Sequence, residues 1–328
     1  MALSRPAVYV SRRLPPRVLE ALATDFVLTL HDSDAPPERA TVLAAIHGVD
    51  GVLTMITDRA DDEFCVAAGP GLRIVANFGV GYDNVDVAAL TARGVIATNT
   101  PGVIAGATAE QAIALMLALG RNIVAGDRRL RTGVPWYWSP TFMLGWGLEG
   151  RRLGIVGLGD IGSRVAALAT AHGMEVVHTS RSDRPGLPYR RLPLDELLAT
   201  ADVVSLHCPL TAETRHLISH RELALMRPGA ALVNTSRGPV VDEAALFEAL
   251  RDGVIGGAAL DVYEREPELH PGLITLENVV LVPHLGSGTV DVREAMGMSC
   301  ADALRAVLLE GRVPRNALNT FLAEPATE

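Results

Sequence analysis

Apolar positions along this chain alternate between two patterns. Short unbroken apolar runs bounded by turn formers have the length and residue types of buried parallel strands. Between them, apolar residues recur every three or four positions, the period of an amphipathic helix. In the first hundred residues this predicts strands at Ala7–Val10, Phe26–Leu30, Gly51–Met55, Leu72–Ala76 and Val95–Ala97, with helices at Pro16–Thr24 and Val85–Arg93. The polar stretch Asp32–Arg39 reads as a surface loop. Pro101-Gly102 breaks the pattern, and a long helix over Ala107–Arg121 reads as the crossing into a second domain. Pro135 to Pro140 has no period and reads as a loop, its aromatic surface available to a partner subunit or as a substrate lid. From Arg152 onward strands at Leu153–Val156, Glu175–His178, Val203–His207, Ala231–Asn234, Ala258–Val262 and Val279–Val282 alternate with helices at Leu194–Thr200, at His220–Met226 and from the Asp242 cap through Arg251. A final helix spans Val290–Leu309. Strands alternating with helices predict an α/β chain with two doubly wound parallel sheets.

Leu153–Val156 runs directly into Gly157, Gly159 and Gly162, a G-x-G-x-x-G turn that opens a helix with Ile161, Val165, Ala166 and Ala169 on one face. Strand, glycine turn and helix in this order suit a dinucleotide. Gly157 permits the tight turn, Gly159 lets a pyrophosphate reach the backbone, and Gly162 lets helix and strand pack closely. The helix start at Asp160 and Ile161 offers free amides and a positive dipole end.

Composition narrows the class. A chain of 328 residues with 48% hydrophobic and 20% charged residues is an ordinary globular chain with room for two domains. No apolar run reaches the roughly 18 residues of a membrane span, and the N-terminus has no apolar signal core, so a cytoplasmic protein is expected. The net charge of −9 argues against nucleic acid as a main partner. All 29 basic residues are arginine. Without lysine there is no Schiff-base chemistry and no Walker A loop. Cys65, Cys208 and Cys300 lack metal spacing and read as reduced, mostly buried thiols; no metal site is expected.

Three polar residues follow strands of the second domain, where this fold class places ligands and catalytic groups. Arg237 lies in Asn234-Thr235-Ser236-Arg237-Gly238, Glu266 in Tyr263-Glu264-Arg265-Glu266-Pro267, and His284 after Val282-Pro283. Each alone is more simply readable as a solvated or packed side chain. Together, beside a dinucleotide site, they fit reduction of a 2-keto acid. A histidine donates the proton to the carbonyl oxygen near neutral pH. A carboxylate orients the ring and favours its charged form. An arginine grips the substrate carboxylate and polarises the keto oxygen. In the first domain, Gly79 and Gly81 of Asn77-Phe78-Gly79-Val80-Gly81-Tyr82 leave amides open to a small anion, or simply make a turn.

With these residues the chain resembles the D-isomer-specific 2-hydroxyacid dehydrogenases. The resemblance is carried by Asn77–Asp86, Thr108-Ala109-Glu110, the glycine turn, Asn234–Asp242, Leu260–Pro267 and Pro283–Thr289. Trp138-Ser139-Pro140 with Gly145, and Gly286-Ser287-Gly288-Thr289, are similar to the glyoxylate/hydroxypyruvate reductases of that family. It implies a Rossmann dinucleotide-binding domain, 103–289, inserted into a flavodoxin-like substrate domain, 1–102 completed by 290–328, the two closing over substrate. It implies His284 as acid/base, Glu266 as its partner and Arg237 as the substrate arginine. The Val80 and Gly81 amides would hold the substrate carboxylate, and Asp261 would contact the nicotinamide side of the cofactor. Thr108, Thr235, Gly286 and the Cys208-Pro209 turn would line the cofactor cleft. Homodimers would form through the cofactor domain, with Trp138 reaching the partner's active site. Gly106 departs from relatives that often carry an acid there, which bears on hinge behaviour rather than chemistry. A relative acting on D-lactate or 3-phosphoglycerate stays open, as does a dinucleotide-sensing binding protein of the same fold, the reading for C-terminal binding protein corepressors.

The adenosine end bears on cofactor choice. An NAD site of this kind places an acid about 20 residues past the glycines to accept from the ribose 2′-hydroxyl. Here Ser180 stands at that point, after Glu175-Val176-Val177-His178-Thr179, and Arg181 and Ser182 follow. Hydroxyls and a guanidinium suit a 2′-phosphate, so NADP(H) is expected to be preferred, with NAD(H) possible and Asp183 the nearest opposing charge.

Overall fold

In the computed structural model, residues 5–181 and 186–319 are described. Ser182 and Asp183 lie outside them. The chain forms two compact units, Met1–Ile104 with Thr289–Glu328, and Ala105–Gly288.

The first unit runs β1 (Ala7–Val10), α1 (Pro16–Asp25), β2 (Val27–Leu30), α2 (Arg39–Ala45), β3 (Gly51–Met55), α3 (Asp62–Ala68), β4 (Ile74–Phe78), α4 (Val87–Ala92) and β5 (Ile96–Thr98). All strands are parallel, in the order β2-β1-β3-β4-β5, the flavodoxin-like order. Each face of the sheet has its own apolar core. Val10, Leu53, Ile74 and Ala76 meet α1 on one side, and Tyr9, Val52, Val75 and Ala97 meet α2, α3 and α4 on the other.

The second unit begins with α5 (Ala105–Gly120) and α6 (Ile123–Arg131). It continues through β6 (Arg152–Val156), α7 (Asp160–Ala171), β7 (Glu175–Thr179), β8 (Arg190–Arg191), α8 (Leu194–Thr200), β9 (Val203–Leu206) and α9 (His220–Leu225). Then come β10 (Ala231–Asn234), α10 (Glu243–Arg251), β11 (Gly257–Leu260) and β12 (Val279–Leu281). Its strands form one parallel sheet in the order β12-β11-β10-β9-β6-β7-β8. The order reverses at β6, the switch point where such sheets bind ligands. Small residues let α5 and α7 pack closely, with Ala109 and Ala112 against Val165, Ala166 and Ala169 in one core. The last helix, α11 (Val290–Leu308), belongs to the first unit and covers the β4 side with Met296, Cys300 and Leu304.

Five elements depart from the sequence reading. Arg39 opens a helix, α2, rather than closing a loop, and α3, α6 and β8 were not expected. α6 has no buried residue, although its sequence is amphipathic. α2 buries Val42 alone. β8 is two arginines held in place by pairing with Val177 and His178. β4 extends past the expected Ala76 because the polar Asn77 and the Phe78 beyond it pair with Thr54 and Met55.

Candidate active site

The glycine turn is built on close backbone approach. Gly157 takes φ +98, and a Cβ there would lie 2.7 Å from the Cys208 nitrogen and 2.8 Å from the His207 carbonyl carbon. A Cβ on Gly162 would lie 2.2 Å from the Gly157 oxygen, which is how α7 comes so near β6. At Gly159 a Cβ would meet nothing within 4 Å, so the turn is open on that side alone. Gly159 caps α7 without a side-chain bond, which leaves the first-turn amides at Asp160 and Ile161 without intrahelical acceptors. Open backbone, free amides and a dipole end fit a pyrophosphate.

Beyond β7, the Ser180 hydroxyl lies 3.3 Å from His178 Nδ1. Arg191 Nη2 donates to the Ser180 oxygen at 2.6 Å and to the Arg181 oxygen at 3.3 Å. The exposed Arg181 thus stands beside a second guanidinium that the sequence reading passed over. Glu213 faces this corner, its carboxyl held below the usual range first by a Thr211 hydrogen bond and last by the charge of Arg181.

At the end of β9, His207 bridges two hydroxyls. Its Nε2 lies 2.8 Å from Ser205 Oγ, and its Nδ1 lies 3.3 Å from Thr235 Oγ1. Burial pushes the imidazole down from 6.5 to about 4, so it is neutral at physiological pH. Burial also pushes the Cys208 thiol up to about 11, which makes it inert. Thr235 is therefore held by a histidine one strand away, whose position after β9 carries no motif.

The strand ends of β10, β11 and β12 bring Arg237, Glu266 and His284 together. His284 adopts φ +51, an uncommon conformation for a non-glycine residue that clusters at functional sites. Its backbone is fixed by bonds to the oxygens of Asp261 at 2.8 Å and Val282 at 3.1 Å. Its Nδ1 lies 2.8 Å from Glu266 Oε2, with both side chains 28% exposed. Glu266 Oε1 accepts from the Tyr263 amide at 3.0 Å. Burial opposes the charge of Glu266, but the bond and charge of His284, the Tyr263 amide and Arg237 outweigh it and hold the carboxyl below its usual range. Asp261 is buried and aims both oxygens at the loop after His284, accepting from Leu285 at 2.5 Å and Gly286 at 2.8 Å. Burial pushes the Asp261 carboxyl up despite these bonds. Thr108 donates to the Gly286 oxygen at 2.9 Å. Asp261 and Thr108 thus act first on the loop that carries His284.

In the first unit, the turn after β4 has its carbonyls tied inward. Gly79 oxygen accepts from the Thr100 amide at 3.0 Å, Val80 oxygen from Asn99 Nδ2 at 2.8 Å, and Gly81 oxygen from Asn77 Nδ2 at 3.0 Å. Asn77 is itself held by Asn84, and Asn99 by Asn316. The Val80 and Gly81 amides donate to no protein acceptor among the described residues. Two adjacent amides without a protein acceptor among the described residues thus sit on a clamped turn.

Trp138 is not drawn to the histidine. It stands 79% exposed on the irregular segment after α6, near the exposed Trp136, Tyr137 and Leu144. Among the described residues no group of His, Cys, Asp and Glu is arranged to hold a metal, and no helix is long and apolar enough to cross a membrane.

Residues 113–286 match the family model for the NAD-binding domain of D-isomer-specific 2-hydroxyacid dehydrogenases. The chain is 42% identical to a glyoxylate reductase of Thermococcus litoralis, over 96% of this chain and 97% of that protein. It is 44% identical to a glyoxylate reductase of Aeropyrum pernix, over 97% of each. It superposes with a TM-score of 0.85 on an NADPH-dependent glyoxylate/hydroxypyruvate reductase of Sinorhizobium meliloti, solved with NADP and malonate. That pair is 35% identical and covers 96% of this chain and 97% of the other.

Proposed function

The chain belongs to the D-isomer-specific 2-hydroxyacid dehydrogenase family, and we propose that it reduces glyoxylate, hydroxypyruvate and similar small 2-keto acids to D-2-hydroxy acids with a nicotinamide dinucleotide. The observation that carries the reading is the 2.8 Å contact of His284 Nδ1 with Glu266 Oε2 at the strand ends beside an open glycine turn. With Nδ1 committed to Glu266, Nε2 of the charged ring is left to donate a proton to the keto oxygen. Arg237 grips the substrate carboxylate and polarises the keto oxygen, and the Val80 and Gly81 amides of the first unit are donors for a small anion. The bound dinucleotide supplies the hydride to the carbonyl carbon. The Asp160 and Ile161 amides and the open side of Gly159 hold its pyrophosphate, while Thr108, Cys208, Pro209, Thr235, Asp261 and Gly286 line its cleft. His284→Gln tests the role: turnover should fall about a hundredfold or more with cofactor affinity nearly unchanged. Near wild-type turnover at pH 7 would refute it. Tight cofactor binding by the wild type without turnover of any 2-keto acid would instead identify a dinucleotide sensor.

NADPH is the preferred cofactor in this reading, because the Ser180 hydroxyl, Arg181 and the guanidinium of Arg191, which is bonded to the Ser180 and Arg181 backbone oxygens, bring donors suited to a 2′-phosphate to the end of β7. Comparing kcat/KM for NADPH and NADH decides it, and Arg181→Ala should weaken NADPH alone. The protein is cytoplasmic, consistent with three free, buried cysteines. A second copy covers the exposed Trp136, Tyr137, Trp138 and Leu144 in a homodimer, which sedimentation tests directly.

A further inference from the structure

The segment carrying Glu266 has little to hold it. Arg265 to Glu268 is exposed and irregular, and its internal backbone bond runs from the Glu268 amide to the Arg265 oxygen at 2.9 Å. A carboxylate that must meet an imidazole within a few tenths of an ångström needs a firmer base. That base is one buried side chain on a neighbouring helix. Glu243, the first residue of α10, is 7% exposed. Its Oε1 accepts from the Glu264 amide at 2.5 Å and its Oε2 from the His270 amide at 3.0 Å. One carboxylate thus clasps the chain on both sides of Glu266. The Glu243 amide answers by donating to Glu264 Oε2 at 3.4 Å. The charge sits in the first turn of a helix, where the dipole favours an anion. One turn on, Phe247 packs against His270 with ring centroids 5.0 Å apart.

The clasped peptide also touches the Arg237 loop. A Cβ on Gly238 would lie 1.8 Å from the carbonyl carbon and oxygen of Tyr263 and 2.4 Å from the Glu264 nitrogen. The Tyr263–Glu264 peptide is therefore wedged between Gly238, next to Arg237, and Glu243.

We propose that Glu243 is a positioning residue for proton transfer, holding segment 264–270 so that Glu266 meets His284 in register with Arg237. The proposal rests on the roles assigned to His284 and Glu266 above. The charged groups facing the segment are His284 and Arg237 at Glu266, His216 at 2.8 Å and Arg215 at 3.6 Å from Glu264, Asp261 below, and Asp242 next to Glu243. None of them contacts both of the amides that Glu243 accepts.

Glu243→Gln keeps the shape but turns an NH2 group toward one of the two amides. With NADPH and glyoxylate, kcat/KM should fall on the order of ten- to a hundredfold, and the alkaline limb of the pH–rate profile should move to lower pH. NADPH affinity should not change. A purely structural residue would lower Tm and leave the pH profile alone. In a Glu266→Gln background, Glu243→Gln should cost little more, since it acts through Glu266. A folded Glu243→Gln enzyme with a wild-type alkaline limb, or full additivity with Glu266→Gln, overturns the proposal. Should Glu243→Gln not fold, Glu243→Asp, which keeps the charge and withdraws it by one methylene, is read by the same criteria. If Glu266→Gln itself leaves the limb in place, the fault lies with the His284–Glu266 assignment; if Glu266→Gln moves it and Glu243→Gln does not, the positioning role alone fails.

Discussion

Replacing His207 by glutamine should change how stability depends on pH, by an amount the structure sets. Burial lowers the imidazole from 6.5 to about 4. Its nitrogens face the hydroxyls of Ser205 and Thr235, and no carboxylate is among its hydrogen-bond partners. A base with a depressed folded value is neutral in the folded chain and takes up its proton on unfolding. Its contribution is therefore complete above pH 6.5 and drains as pH falls toward 4. At about 1.4 kcal/mol for each tenfold change in proton affinity, the full swing is about 3 kcal/mol, of which about 2.5 kcal/mol is spent by pH 4.5. Glutamine keeps a polar atom within reach of Ser205 and does not titrate. Urea unfolding of the intact chain at pH 7 and pH 4.5 should show the wild type losing about 2–3 kcal/mol more than His207→Gln. Carboxylates such as Glu266, which also destabilise the fold on acidification, are common to both proteins and cancel in the difference. Equal losses in the two proteins would refute the argument, because they would mean that the ring is solvated.

Arg237→Lys keeps the charge and removes the planar fork; kcat/KM for 2-keto acids should fall by about 2–4 kcal/mol, and an unchanged value would make Arg237 a surface group. Gly238→Ala forces a methyl into the Tyr263–Glu264 peptide, so steady-state kinetics should show kcat falling with NADPH binding retained; wild-type kcat would mean that the two loops separate without cost. Trp138→Ala should improve larger keto acids relative to glyoxylate in a substrate panel, because an indole reaching a partner's site crowds the third carbon; an unmoved profile would assign Trp138 to subunit packing alone.

The parts of the fold legible in the sequence were those where one physical demand overrides the rest. β6 is buried along its length after Arg152, so Leu153–Val156 had to be apolar throughout, and Gly157 and Gly162 had to be glycines because backbone occupies their side-chain space. Asp242 was readable as a cap and accepts from the Ala245 amide at 3.1 Å. α3 carried the same signal, an Asp61 side chain accepting from the Phe64 amide at 3.0 Å, but it is one short helix with three buried residues, too brief for a period to emerge. β4 was cut short for a different reason. Asn77 looked like a strand end because it is polar, yet Asn84, Gly81 and the more distant Thr54 satisfy its side chain, so it stays buried in the sheet.

That same asparagine shows why only half of the site was legible. Residues that do chemistry announce themselves by type: a histidine, a glutamate and an arginine after three strands suggest proton transfer and anion binding before any fold is drawn. Residues that aim the backbone do not. The turn that presents the Val80 and Gly81 amides is clamped because Thr100, Asn99 and Asn77 donate to its carbonyls, and Asn99 is fixed by Asn316 from the far end of the chain. Asp261 spends both oxygens on the amides after His284, and Glu243 spends both on the segment around Glu266. In sequence, a carboxylate that caps a helix and one that clasps a catalytic loop are the same letter. Only the destination of each N–H and C=O separates them, and those destinations lie from 4 to 217 residues away along the chain. The orienting residues of this enzyme are therefore to be found by following its buried backbone amides to their acceptors.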